Sequence, residues 1–351
     1  MFANLTPQMA TKIEKTLNLP LSMPIPSFLS TRLSHYEVLL KLGNDAVGIG
    51  ACYPTSSPLE HLEDGSMKDE WGIHYKRVGY YDEIIERPLS EAKSLSDVRT
   101  YRFPDPLAEG RYNFAKEMIR KYKDNFAIVA DLECTIFELS WGLVGMEKFL
   151  IDLLSGKPYI FELMDKVAQF NIEVGRQLIK LGADIIWTGD DFGTQKGMLI
   201  SPRLWREIFK PRMRVIFKEF KKANPNIKIA YHSCGSIVPI IEDLIEIGLD
   251  ILNPIQPRAN GMDLGILKQK YGEELSFFGG IDEQKILPFG SPHQVEEEVK
   301  KKIKLAGSGG GYILSPAHNI QPDTPVENVF KMYKTVHLMG QEKKFNLSPS
   351  V

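Results

Sequence analysis

Short apolar runs recur along the chain, and from residue 126 onward each is followed by a longer amphipathic stretch. The runs are FAIVADLE (126–133), ADIIWTGDD (183–191), KIAYHSCG (228–235), ILNPIQ (251–256), LSFFGGID (275–282) and GYILSPAH (311–318); an earlier one is DAVGIGACY (45–53). Their length and near-continuous hydrophobicity fit strands covered on both faces. The stretches between them read as helices. Ser201-Pro202 opens one over 201–222, Ser291-Pro292 a second over 291–307, and Thr324-Pro325 a third over 324–339. In each, a capping hydroxyl precedes a proline at the first helical position. Pro211 falls inside the first of these helices and is expected to kink it.

Strands alternating with helices imply parallel pairing with helical crossovers. The expected fold is α/β, a (β/α)8 TIM barrel whose eighth strand is poorly marked, with residues 1–351 forming one domain. A doubly wound open sheet is the alternative. Its nucleotide-binding versions lose ground because neither GxGxxG after a strand nor GxxxxGK[ST] occurs. Residues 1–40 read as a helical N-terminal extension. The stretch 69–89, rich in aromatic and β-branched residues, reads as a small β-hairpin insertion.

In such a barrel the chemistry sits at the C-terminal ends of the strands. The candidate strands end in Cys52, Glu133-Cys134, Asp190-Asp191, His232-x-Cys234, Gln256, Asp282 and His318. All three cysteines of the chain are among them. Residues distant in sequence would therefore converge on one mouth. His232 and Cys234, two apart in an extended segment, can point to the same side and supply two ligands to a metal such as zinc. A third ligand must come from another strand end, where His318, Glu133 and Cys134 are available. Asp190, Asp191 and Glu133 are candidate acids, bases or substrate-orienting groups. Gln256, Asp282 and Trp187 are candidate substrate contacts. Each has a plainer reading: a buried cysteine beside a hydrogen-bonded histidine, or turn residues leading into a glycine-rich loop.

Composition narrows the partners. With 43% hydrophobic residues, 25% charged residues and a net charge of −2, the chain gives no reason to expect nucleic acid or an anionic membrane. No apolar run reaches membrane-spanning length, and the N-terminus lacks a signal-peptide pattern, so a cytoplasmic location is expected. Three cysteines make a disulfide framework a poor reading and favour free thiols or metal ligands.

Over about residues 40–340 the chain resembles the uroporphyrinogen decarboxylase superfamily. The stretches that carry the resemblance are ADIIWTGDDFGTQKGMLISPRLW, HSCGSIVPIIEDLIEIGLDILNPIQP, FFGGIDEQKILPFG and GGGYILSPAHNIQPDTPVENV. The resemblance implies a (β/α)8 barrel. The true decarboxylases carry an Arg-rich RQAGRY segment near the N-terminus; here the first 60 residues contain only Arg32. The other branch comprises zinc methyltransferases that exchange a methyl group with the cobalamin of a corrinoid protein. Its H-x-C motif supplies two zinc ligands, matching His232 and Cys234. Its third is a cysteine near the C-terminus, where this chain reads P-A-H-N and places His318.

Imidazole in place of thiolate would leave the zinc more positive and favour polarising an ether oxygen. The resemblance therefore implies an enzyme that takes a methyl group from a small methylated donor, first a methoxylated aromatic, and passes it to cobalt(I) on a partner. The alternatives are a metal-free decarboxylase and a methylcobamide:thiol methyltransferase of the coenzyme M type. A homodimer is left open.

Overall fold

The computed structural model describes residues 1–27, 32–79 and 81–341. Within them, strand β1 spans Ala46–Gly50, β2 Glu60–His61, β3 Met67–Lys68, β4 His74–Val78, β5 Tyr81–Glu86, β6 Ala127–Glu133, β7 Ile185–Gly189, β8 Lys228–His232, β9 Ile251–Ile255, β10 Ser276–Ile281 and β11 Tyr312–Pro316. Seven of these form one parallel sheet in the order β1-β6-β7-β8-β9-β10-β11, curled with helices around it. This is the architecture of a TIM barrel.

The eighth place is taken by the N-terminal segment. The Met1 carbonyl accepts from Asp45 N–H, just before β1, at 2.8 Å; Asn44 bonds both main-chain groups of Ala3. At the other end, Leu5 makes a parallel bridge to Ile320, after β11, and Thr6 N–H donates to the Ile320 carbonyl. Residues 1–6 thus run from the foot of β1 to the top of β11. Phe2 turns into the barrel, 6.3 Å from the Trp187 ring and 6.0 Å from Phe278. The sequence hid this element because MFANLT is short, has no repeat period, and lies far from the strand it flanks.

The helices follow their start signals. Ser201 and Ser291 each accept a backbone N–H three residues on, opening Pro202–Ala223 and Pro292–Ala306. The first runs unbroken through Pro211. Among the described residues of the N-terminal region, helix is confined to Pro7–Thr16 and Tyr36–Leu42, with residues 17–27 and 32–35 between them non-helical. Residues 28–31, inside the expected helical extension, and Tyr80, inside the expected hairpin, lie outside the described residues. β4 and β5 pair as an antiparallel hairpin, and β2 and β3 extend it to a four-stranded sheet. No helix among the described residues is long and apolar enough to cross a membrane.

One buried ion pair ties that sheet to the barrel. Arg111, fully buried, makes a fork of two bonds to Glu70 at 2.7 and 2.6 Å and caps the carbonyls of Cys52 and Asp105. Removing the guanidinium would strand a buried carboxylate beside β3. Arg111→Met is expected to lower stability by about 3–5 kcal/mol, read as a shift of the urea midpoint. A variant with an unchanged midpoint would show that the sheet is held in some other way.

Candidate metal centre

The alternation of side chains along each strand explains what meets at the barrel mouth. Val129, Trp187, Ala230, Ile251 and Phe278 pack together inside the barrel. Counting on by twos, the inward rows continue to Asp131 and Glu133 on β6, Gly189 and then Asp191 after β7, His232 and then Cys234 after β8, and Asn253 on β9. Within these rows, one ligand atom each from Asp191, His232 and Cys234 lies within 4.8 Å of the other two.

Two features of the backbone allow this approach. Gly189 faces His232 so closely that a Cβ there would sit 2.6 Å from the His232 Cβ. Gly235, at φ +75°, lies against Gly193 and Thr194, where a Cβ would come within 2.6 Å of three backbone atoms. The turn after Cys234 is further held by Gln256, whose Oε1 accepts from Gly235 N–H at 2.7 Å.

The group fits a zinc ion. Bonds of about 2.0–2.3 Å in a tetrahedron place ligand atoms about 3.3–3.8 Å apart. Cys234 Sγ lies 3.5 Å from His232 Nε2, and Asp191 Oδ1 lies 3.6 Å from the same nitrogen. His232 Nδ1 meets the Asn253 side-chain oxygen at 2.6 Å. That contact assigns the proton to Nδ1 and leaves the Nε2 lone pair turned to the group. Burial pushes the imidazole pKa down to about 4, so the ring is neutral and able to ligate at neutral pH. Burial, then the Asp191 charge, pushes the Cys234 thiol well above its ordinary range. A cation at the centre would offset both penalties, since thiolate ligation displaces the proton.

His318 is not one of the three. It lies at the wall of a chamber of about 310 Å³, with Cys234, Gln256, Arg258, Asp282 and Gln321 among its neighbours. Glu133 is close by: its Oε1 is 3.6 Å from His232 Nε2, and it pairs with Arg32, which also stands 4.4 Å over the Trp187 ring. Trp187 is buried inside the barrel, its ring 6.0 Å from that of His232 and away from the chamber. Asp282 faces the chamber and accepts from Gln284 and Lys285 N–H groups, with Arg258 at 3.5 Å.

The two neighbouring aspartates have different surroundings. Asp191 reaches the centre and accepts from Cys234 N–H at 2.7 Å. Asp190 points the other way, fully buried, and accepts from Ile136 and Glu138 N–H groups at the start of the helix Phe137–Val144. Burial outweighs these bonds and raises its pKa to about 7. Asp190 thus caps a helix from a neighbouring loop rather than facing the chamber. Asp190→Ala is expected to cost about 1–2 kcal/mol of stability, measured by urea denaturation of the metal-free protein. No change would return the residue to the list of acid–base candidates.

Sequence reasoning missed Asn253, Glu138 and the site role of Arg32. Asn253 had a signal: it is a lone amide inside an apolar strand, on the parity of His232. Glu138 stands on a helix, where a search of strand ends does not look. It accepts from Asp191 N–H at 3.2 Å and lies 3.7 Å from Cys134 Sγ; burial, then Asp191 and Asp190, push its pKa up to about 8.

The family described as Uroporphyrinogen decarboxylase (URO-D) matches residues 81–339. A uroporphyrinogen decarboxylase of Trichodesmium erythraeum is 26% identical over 176 residues, covering 50% of this chain and 46% of that one. The methylcobamide:CoM methyltransferase MtaA of Methanosarcina barkeri is 26% identical over 201 residues, 54% of each chain. These matches thus span about half the length of the relatives concerned. A solved methyltransferase from Methanosarcina mazei superposes with a TM-score of 0.68 at 17% identity, covering 96% of this chain and 99% of that one. At that identity the superposition speaks for the barrel fold alone.

Proposed function

The chain belongs to the uroporphyrinogen decarboxylase family, and from that premise we propose that it is a zinc-dependent methyltransferase serving a corrinoid protein. The donor in this reading is a small methyl ether, in the first instance a methoxylated aromatic, and the acceptor is cobalt(I) on the partner. One observation carries the zinc assignment, and not the choice of an ether over a thiol: Asp191, His232 and Cys234 meet at zinc-ligand spacing on the catalytic end of the barrel. The family's methylcobamide:CoM methyltransferase, similar over about half of this chain, supports the methyl-transfer branch.

Zinc at this centre would act as a Lewis acid toward an ether oxygen or a thiol. The chain's own residues prepare the site. Asn253 fixes the imidazole tautomer. Glu138, its pKa pushed up by burial and then by the neighbouring Asp191 and Asp190, accepts the Asp191 N–H and holds that strand end in place. Gln256 and Asp191 pin the main chain on either side of Cys234. Arg32 pairs with Glu133 beside His232, limiting the negative charge at the centre.

A second reading has a specific observation behind it. With Asp191 as third ligand, the donor set carries as much negative charge as one of two cysteines and a histidine. Such a set suits a bound thiolate as nucleophile, and thus transfer from methylcobamide to a thiol. Cobalamin spectra decide between the two. The zinc-loaded chain is mixed either with cobalt(I)-cobalamin and a methoxylated aromatic, or with methylcobalamin and a small thiol. Methyl-cobalt formation in the first mixture supports the proposal. Loss of methylcobalamin in the second alone reverses the direction. No transfer in either mixture, by a protein that takes up no zinc when it is supplied, would sink both.

A further inference from the structure

A second cavity, of about 460 Å³, lies beneath the four-stranded sheet, between the β4–β5 hairpin and the helix Phe137–Val144. Its walls are apolar and aromatic, with Ile73, Tyr75 and Ile84 on the sheet side and Leu139 and Trp141 on the helix. The Tyr75 ring is held by a 3.0 Å bond from its hydroxyl to Asp69. Cys134 and Glu138 also line this cavity, and Glu138 accepts the Asp191 N–H. The polar chamber borders the metal centre at Cys234, whereas the apolar cavity approaches it only through Cys134 and Glu138, with none of Asp191, His232 and Cys234 in its walls.

Arg87 also lines the apolar cavity. Its Nε is buried away from the cavity, and among the described residues no ion pair engages its guanidinium, whose remaining nitrogens are left for the cavity side. A guanidinium without a counter-charge beside an apolar cavity is costly, and its planar fork matches a carboxylate. The two acidic groups at the rim do not supply the missing partner. Asp82 is engaged by Arg77 at 2.8 Å, and Glu83 is exposed.

From this we infer that the apolar cavity holds the body of the methyl donor, and that the donor is an aromatic carboxylic acid whose carboxylate pairs with Arg87. This rests on the methyl-donor reading above and names the class of donor. The ring fills the slot between Tyr75, Ile84 and Trp141, and the ether faces Cys134 and Glu138 on the metal side. Gly142 is the floor: a Cβ there would only touch Ile73 and Ile84, at 3.6 and 3.8 Å, so a longer side chain would grow into the cavity.

Calorimetric titration of the zinc-loaded full chain tests the inference without any methyl transfer. The probes are para-methoxybenzoate and its uncharged counterpart methoxybenzene. Wild type is expected to bind the acid about tenfold or more tighter than the neutral ether. Arg87→Met should erase that preference with methoxybenzene affinity unchanged, and Arg87→Lys should retain part of it. Gly142→Leu should weaken both probes about tenfold or more at unchanged zinc content. Equal binding of the two probes by wild type, a preference that persists in Arg87→Met, or no binding of either would overturn the inference. Demethylation of methoxybenzene without any preference for the acid would sink the pocket assignment and leave the methyltransferase reading intact. Arg87-dependent binding with no transfer to cobalt would do the reverse.

Discussion

Cys234→Ala protein is expected to retain essentially no zinc, and to lose methyl transfer with it, while wild type holds close to one zinc per chain. Cys234 is half-buried at a turn pinned by Asp191 and Gln256 through main-chain N–H groups, so removing its sulfur leaves the turn in place. The barrel's cores do not depend on the centre: apolar side chains fill the inside of the barrel, and the helix layer outside is packed separately. The fold should therefore survive, with a melting temperature within a few degrees of metal-free wild type, unlike a small zinc-folded domain. His232→Ala should empty the site as well. It also removes a buried ring near Trp187, so Cys234→Ala is the cleaner variant. Asn253→Ala gives the graded control. It keeps all three ligands but frees the imidazole, and should weaken zinc binding about 10–100-fold. Metal analysis and competition with a chromophoric chelator read all three variants. Full zinc occupancy in Cys234→Ala would remove the centre from the argument.

The apolar runs located the barrel strands because strands covered on both faces have no alternation to misread. Each observed strand lies inside its run, as Ile185–Gly189 lies inside 183–191. The Ser-Pro signals placed two helix starts because cap and proline act locally, within one turn. What escaped was non-local. The segment 1–6 fills the eighth slot by pairing with Asp45 and Ile320, partners at opposite ends of the chain. β2 and β3, with two residues each, carry too little pattern to be seen beside the β4–β5 hairpin. At the site, His232 and Cys234 were legible from residue type and spacing. The difference between Asp190 and Asp191 was legible only through parity, since 187, 189 and 191 share the inward face while 190 faces the helix layer. His318 stood at the expected strand end, but after Pro316 the chain leaves the strand, and alternation no longer decides where the ring points.

The identity of the third ligand has the next largest consequence. The sequence resemblance offers His318 as third ligand; in the structure Asp191 stands 3.6 Å from His232 Nε2. The two candidates give different charges, because a carboxylate brings one more negative charge than an imidazole. If Asp191 ligates, Asp191→Ala should weaken zinc binding by more than the roughly 100-fold that loss of an orienting partner costs, and His318→Ala should change it little. Asp191→Asn is the sharper test. It keeps the shape and the amide oxygen that accepts Cys234 N–H, and removes only charge. It should lower zinc affinity while leaving the turn intact. If His318 ligates, the order reverses, and the centre is the more positive one that favours an alkoxide or phenolate leaving group. Zinc titrations of the three variants separate these cases before any substrate is known. The same variants then bear on direction: with zinc at saturation, Asp191→Asn should shift the balance toward demethylating an ether and away from methylating a thiol. An unchanged ratio of the two rates would show that ligand charge does not set the direction of transfer.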